Sequence, residues 1–278
     1  MASGVVDHQR VLAMVPATFA IAWLALACEP TVVIGSCSES PAADAGMGDA
    51  SSSAGEDAVA VPWSTGFEDG LCGYHSARGY CYARHGASIE IVETPLARAG
   101  STGKFVAAFT VNADDTTADR SQARCVQQGV MPKSAVYGAW YFIPALATSD
   151  GNWNLFHFLG RTSEADSHAL WDISLKNNSD GQLELSVFNF LTGTHPPLTG
   201  VGPIPIGRWF QIEIRIVRSA LPNGEVTVQQ DGVTALHLTK LITDDTQWGQ
   251  WYVGNFVKKL EPASSTVYVD DVSIREAP

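Results

Sequence analysis

The stretch "FQIEIRIV" constrains the fold of this chain more than any other. Phe210, Ile212, Ile214 and Ile216 alternate with Gln211, Glu213 and Arg215. Successive side chains of an extended backbone point to opposite faces, so this period of two predicts a strand with one buried and one wet face. The segment "GEVTVQQDGVTALHLT" repeats the alternation on both sides of Asp231-Gly232, a pair that tolerates positive φ, and predicts a hairpin. "STGKFVAAFTV", "SAVYGAWYFIP", "WNLFHFLG", "ALWDISLKN", "SDGQLELSVFNF" and "STVYVDDVSI" read as further strands, bounded by Gly, Asn, Asp and Pro. No segment sustains a helical period over three turns. Many short strands without an internal repeat predict one all-β domain, an antiparallel β-sandwich running from Trp63 to the C-terminus. Its last strand, "VYVDDVSI", is expected beside the first, near Gly66.

The first part of the chain has a different texture. Val11 to Cys28, "VLAMVPATFAIAWLALAC", carries no charged side chain and follows Arg10. Pro16 interrupts the run and small residues precede the terminal cysteine, the pattern of an export signal and its cleavage site. "LALAC" resembles a bacterial lipobox, which makes residues 1–28 a lipoprotein signal peptide and Cys28 the lipidated residue; "IGSC", ending at Cys37, and an unlipidated signal or membrane anchor are the alternatives. Residues 29–62 are rich in Ala, Ser, Gly and Asp with no apolar period, and are expected to form a disordered tether. The expected location is therefore the bacterial cell envelope or surface, with membrane contact only through the lipid.

The order of "GRWFQIEIRIV", "NGEVTVQQDGVTAL", "WYVGNF" and "STVYVDDVSI" resembles the concanavalin A-like lectin/glucanase superfamily of jelly rolls, closest in texture to its polysaccharide-lyase and laminin-G-like branches. In those families a Gly-x-Trp enters a long strand, a hairpin with a "DG" turn follows, and a "DDV" strand closes the domain. The resemblance covers Trp63 to Ile274. The opening "FEDGLCGY" also resembles MAM domains and calcium-binding carbohydrate modules.

That resemblance implies a polysaccharide or glycan as partner, bound without catalysis or cleaved by β-elimination. In the lyases an Arg-rich polar strand neutralises a uronate carboxylate, because the proton beside a carboxylate is very weakly acidic until that charge is offset. Here Arg120, Gln122 and Arg124 share one strand face, His157 is the candidate base and Tyr252 the candidate acid. The Tyr-x-Lys-x-Gly-x-Tyr strand of the lyases reads "WYVGNFVKK" instead. For non-catalytic binding, sugars stack on aromatic rings beside polar groups, and Trp153, Trp248, Trp251, Tyr252 and Asn255 are the candidates. A third reading is a structural or adhesive envelope protein that binds another protein.

Three cysteines fall in the domain. The spacing of Cys72 and Cys81, with Gly73 and Gly79 between them, suits a small disulfide loop; a bond from Cys125 to one of the two is the alternative. If first and last strands are neighbours, Glu68 or Asp69 approaches Asp270 or Asp271. Carboxylates so placed repel unless a cation separates them, so a structural calcium ion at Glu68 and Asp271 is expected.

Several chemistries are disfavoured. A net charge of -12 opposes nucleic acid. Glu90 and Glu93, and likewise adjacent Asp270 and Asp271, point to opposite strand faces, which does not supply the paired carboxyls of a glycosidase. No CxxC, P-loop or Gly-x-Gly-x-x-Gly occurs.

Overall fold

A computed structural model describes residues 32–33, 58–75, 78–113, 120–149, 153–161, 167–243, 246 and 248–277. The strands in chain order are β1 (Val32–Val33), β2 (Trp63–Thr65), β3 (Tyr80–Arg84), β4 (Ser88–Glu93), β5 (Phe105–Asn112), β6 (Ser121–Val130), β7 (Ser134–Phe142), β8 (Thr148–Ser149) and β9 (Trp153–Arg161). They continue as β10 (Ser167–Asn177), β11 (Leu183–Asn189), β12 (Trp209–Val217), β13 (Gly224–Gln230), β14 (Val233–Leu241), β15 (Trp248–Val257), β16 (Leu260–Glu261) and β17 (Ser264–Glu276). A single helical turn, α1 (Cys72–His75), interrupts them. No helix among the described residues is long and apolar enough to cross a membrane.

Two large antiparallel sheets face each other. The first has the order β1-β3-β6-β15-β9-β10-β11 and the second β14-β13-β12-β7-β17-β5-β4, with β2 joined to β17. The core lies between them, and strands such as β12 and β13 bury alternate residues against it. On β12, Phe210, Ile212, Ile214 and Ile216 are buried while Gln211, Glu213 and Arg215 are not. Aromatic rings lock the sheets together: Tyr137 of β7 packs edge-on against Trp251 of β15 and Phe158 of β9, with centroids 5.0 and 5.1 Å apart. The hairpin turns at Asp231 and Gly232, both with positive φ, as the Asp-Gly pair predicts. The strand that opens at Trp63, β2, neighbours the last strand, with Thr65 opposite Val272.

Two expectations change. The disulfide in the fold joins Cys81 to Cys125, not Cys72 to Cys81. These cysteines are directly opposed on β3 and β6, so the bond clips two neighbouring strands. Cys72 takes no part in this bond. The segment read as a tether also contributes to the fold: Val32 and Val33 pair with β3 as the outermost strand, Ala58 bridges to Val130, and Val59 is buried. Cys28 and Cys37 lie outside the described residues.

Candidate functional site

The face of the first sheet that points away from the core carries most of the predicted site. Strand register sets one row across six strands: Tyr80 lies opposite Val126, Val126 opposite Tyr252, Tyr252 opposite His157, His157 opposite Asp172, and Asp172 opposite Phe188. Within this row His157 Nδ1 is hydrogen-bonded to Asp172 Oδ1. The imidazole meets the Tyr252 ring edge-on at 5.4 Å. The Tyr252 hydroxyl donates to Gln250 Oε1 at 2.6 Å.

Arg124 stands one step along β6, opposite Gly254 of β15. Gly254 has a φ of +146°, and a Cβ there would come within 2.3 Å of the Ala123 carbonyl oxygen. The position facing Arg124 therefore carries no side chain, and the guanidinium reaches over β15 to donate to Asn154 Oδ1 on β9 at 2.8 Å. It also stacks over Phe256 and Tyr252, at 4.0 and 5.3 Å from their centroids. Only 7% of Arg124 is exposed. Arg120 lies over Phe256 as well, and Arg84 over Tyr82. The Tyr82 hydroxyl donates to Gln122 Oε1 at 3.2 Å. The three residues Arg120, Gln122 and Arg124 thus lie on one face.

Burial dominates the electrostatics. It pulls the His157 imidazole below its ordinary value, with Asp172 pushing back and Arg124 pulling further down. The ring is accordingly neutral at neutral pH. Its Nδ1 proton is held by Asp172, which leaves the Nε2 lone pair as the basic site. Burial likewise lowers Arg124, opposed by Tyr82, Asp172 and Tyr252. It raises Tyr252 well above the ordinary phenol value, so that hydroxyl keeps its proton.

Other candidates are redistributed. Trp153 and Trp251 are fully buried and Asn255 with them; Asn255 accepts from Trp153 Nε1 at 2.8 Å. A ring with no exposed face cannot stack on a sugar, so these three belong to the core. Trp248 is 38% exposed and opposes Arg161 at the end of the same polar face. Glu68 and Asp271 do not share a metal-like cluster. Glu68 Oε1 accepts from the Lys104 and Phe105 amides at 2.9 and 3.0 Å, securing the start of β5. Asp270 and Asp271 both engage the Arg98 guanidinium, which itself stacks on Trp140 at 4.5 Å. Among the described residues no group of three or more His, Cys, Asp or Glu is arranged to hold a metal ion.

Sequence reasoning missed Asp172, Asn154 and Tyr82. In "LWDISL" and "YCYAR" the outward residues sit between inward Trp171 and Ile173, or flank inward Cys81; that alternation is the available signal.

The sequence matches no protein-family model and no curated protein. Solved structures do match. The endo-β-1,4-glucuronan lyase of the fungus Trichoderma reesei superposes with a TM-score of 0.55 at 15% identity, over 70% of this chain and 90% of that one. The marine PL-14 alginate lyase of Aplysia kurodai gives 0.51 at 10% identity, over 78% and 100%. Alginate lyase Aly36B gives 0.50 at 13%, over 78% and 98%. At such identities the likeness is one of architecture: this chain has the concanavalin A-like jelly-roll fold of these polysaccharide lyases.

Proposed function

We propose that the outer face of the seven-stranded sheet binds an acidic polysaccharide. One observation carries this: on a chain of net charge -12, Arg84, Arg120, Arg124 and Arg161 gather on one face. The acids in the strands of that face are already engaged, Asp172 with His157 and Glu184 with Lys176. Guanidinium groups held over aromatic rings are preorganised for carboxylate, and their planar forks match it. The solved relatives named as glucuronan and alginate lyases agree with a uronate-containing partner. An N-terminal export signal, as expected from the sequence, would put such a domain on the cell envelope, within reach of envelope or environmental glycans.

Calorimetric titration of the purified domain with polyuronate oligosaccharides tests the reading. Arg124→Met keeps the apolar stem and removes the charge. Truncating one partner of a buried charge contact costs about 2–5 kcal/mol, so affinity falls at least roughly thirtyfold. Equal binding by the variant, or equal binding of a neutral polymer, refutes it.

A second reading is β-elimination, favoured by the meeting of Arg124, His157–Asp172 and Tyr252 in one place. Arg124 would offset the uronate carboxylate. His157 Nε2 would take the ring proton beside that carboxylate. The electron pair left behind forms a C=C bond as the glycosidic C–O bond breaks, and the Tyr252 hydroxyl protonates the departing oxygen. Binding remains the primary reading. If Gly254 is matched to the Gly of the lyases' Tyr-x-Lys-x-Gly-x-Tyr strand, Phe256 stands at its last tyrosine, and a phenyl ring has no proton to give. An absorbance rise from unsaturated uronate, abolished by His157→Gln, establishes elimination; binding without that rise excludes it.

A further inference from the structure

The Arg124 region occupies one end of the polar face. The other end, at β10 and β11, has a different character. The loop after β11 folds back over the sheet edge, with the Ile204 amide bonded to the Leu183 carbonyl at 2.7 Å. Between this loop and the strands lies a cavity of about 390 Å³, lined by Lys176, Glu184, Ser186, His195, Pro197 and Leu198 among others. Its volume falls within the range of roughly 300–1,000 Å³ common to small-ligand sites. Lys176 and Glu184 pair at 3.1 Å and cancel each other's charge. Ser186, Asn178 and His195 supply hydrogen-bonding groups, while Pro196, Pro197, Leu198 and Val201 supply apolar wall.

Rings connect this cavity to the site. His157 meets Phe190 edge-on at 6.0 Å, Phe190 meets Phe188 at 4.6 Å, and Phe188 packs on His195 at 4.7 Å. Phe190 is 38% exposed. His195 Nδ1 lies 3.1 Å from the Val187 carbonyl and so carries its proton there, which leaves Nε2 to face a ligand. From β6, which carries Arg124, to β11 is four strand spacings, about 19 Å, a span on the scale of a tetrasaccharide.

We infer that this cavity and its aromatic path form a second subsite, which holds an uncharged sugar unit of the same polymer whose uronate sits at Arg124. Apolar walls and rings suit the C–H faces of a sugar; the cancelled charge gives a carboxylate no counter-ion. The preferred polymer is then a heteropolysaccharide with uronate and neutral sugars in one chain. This inference rests on the acidic-polysaccharide reading of the Arg124 face.

Calorimetry on the full chain compares two tetrasaccharides, one all uronate and one alternating uronate with neutral hexose. The wild-type protein is expected to favour the mixed ligand. The double variant His195→Ala/Phe190→Ala removes a ring contact and a hydrogen bond and erases that preference, a change of about tenfold. A folding transition like that of wild type confirms that the variant is intact. If wild type binds both ligands with no preference, or the variant loses both in equal proportion, the second subsite is wrong while the acidic-polysaccharide reading stands. If wild type binds neither, both fall.

Discussion

Replacing Trp251 and Trp248 separately by alanine separates core from surface on a single strand. Trp251 is completely buried and packs against Tyr137 and Phe156, with centroids 5.0 and 5.3 Å away. An aromatic side chain buries about 150–250 Å². At about 25 cal/mol/Å² that is roughly 4–6 kcal/mol of transfer energy, part of which the alanine Cβ retains. Core Trp→Ala changes accordingly cost about 3–5 kcal/mol. In a domain of this size each kcal/mol moves the melting midpoint by roughly 2–4 °C, so Trp251→Ala lowers it by roughly 6–20 °C. Trp248 is 38% exposed at the strand end, and its removal costs under about 1 kcal/mol. Urea titrations followed by circular dichroism give both values, provided the slopes match wild type. If Trp251→Ala unfolds within about 1 kcal/mol of wild type, the ring is not in the core and the assignment of the two faces of β15 is wrong.

Gly254→Ala places a Cβ within 2.3 Å of the Ala123 carbonyl and 2.9 Å of the Arg124 Cα. It is expected to destabilise by about 1–3 kcal/mol or more and to displace Arg124; polyuronate titration should show weaker binding even where the variant remains folded. His157 links stability to pH. Its folded value is depressed, chiefly by burial, so below the ordinary histidine value of about 6.5 the unfolded chain binds the proton first. Stability is full above that pH and is lost as pH falls toward the lower folded value; His157→Gln flattens this slope in denaturation curves taken across the window, and an unchanged slope refutes it. Cys81→Ala/Cys125→Ala opens a loop with sequence separation 44, which by chain entropy costs about 4 kcal/mol. A midpoint within experimental scatter of wild type in thermal melts would show that the bond constrains nothing.

The fold was legible where one strand declares its own faces. "FQIEIRIV" and the Asp231-Gly232 hairpin carry their conformation in local alternation and turn chemistry, and both appear in the structure as read. The disulfide was not legible in that way. Cys72 and Cys81 are close in sequence, yet α1 and the packed Gly79 turn separate them: the Gly79 amide is bonded to the Tyr74 carbonyl at 2.8 Å. Cys81 instead points inward on β3 and finds Cys125 across the register with β6. Spacing along the chain reports loops, whereas this bond depends on which strands become neighbours.

The site shows the same division, and β15 shows why. In "WGQWYVGNF" the polar Gln250 and the amphipathic Tyr252 occupy one parity, which sends Trp251 to the other and into the core. That much follows from alternation, and counting tryptophans as sugar-stacking surfaces overlooked it. Asn255 and Phe256 keep that alternation, inward and outward, but the irregularity opposite Val253–Phe256 inverts the parity of β9, so that Asn154 turns outward to meet Arg124 and Trp153 turns inward. Strict period-two reading cannot anticipate this, because a bulge adds a residue to one strand without changing its composition. Gly254 is the local mark of it: a glycine inside a strand pattern signals a bulge or a close backbone approach, and here it is both. His157 and Asp172 needed no such irregularity. Each is a lone polar residue flanked by apolar neighbours, in "FHF" and "LWDIS", on strands consecutive in the chain. Consecutive antiparallel strands are the pairs most often adjacent, so an imidazole and a carboxylate at outward positions of such a pair are the first two groups to test against each other in any strand reading of this chain.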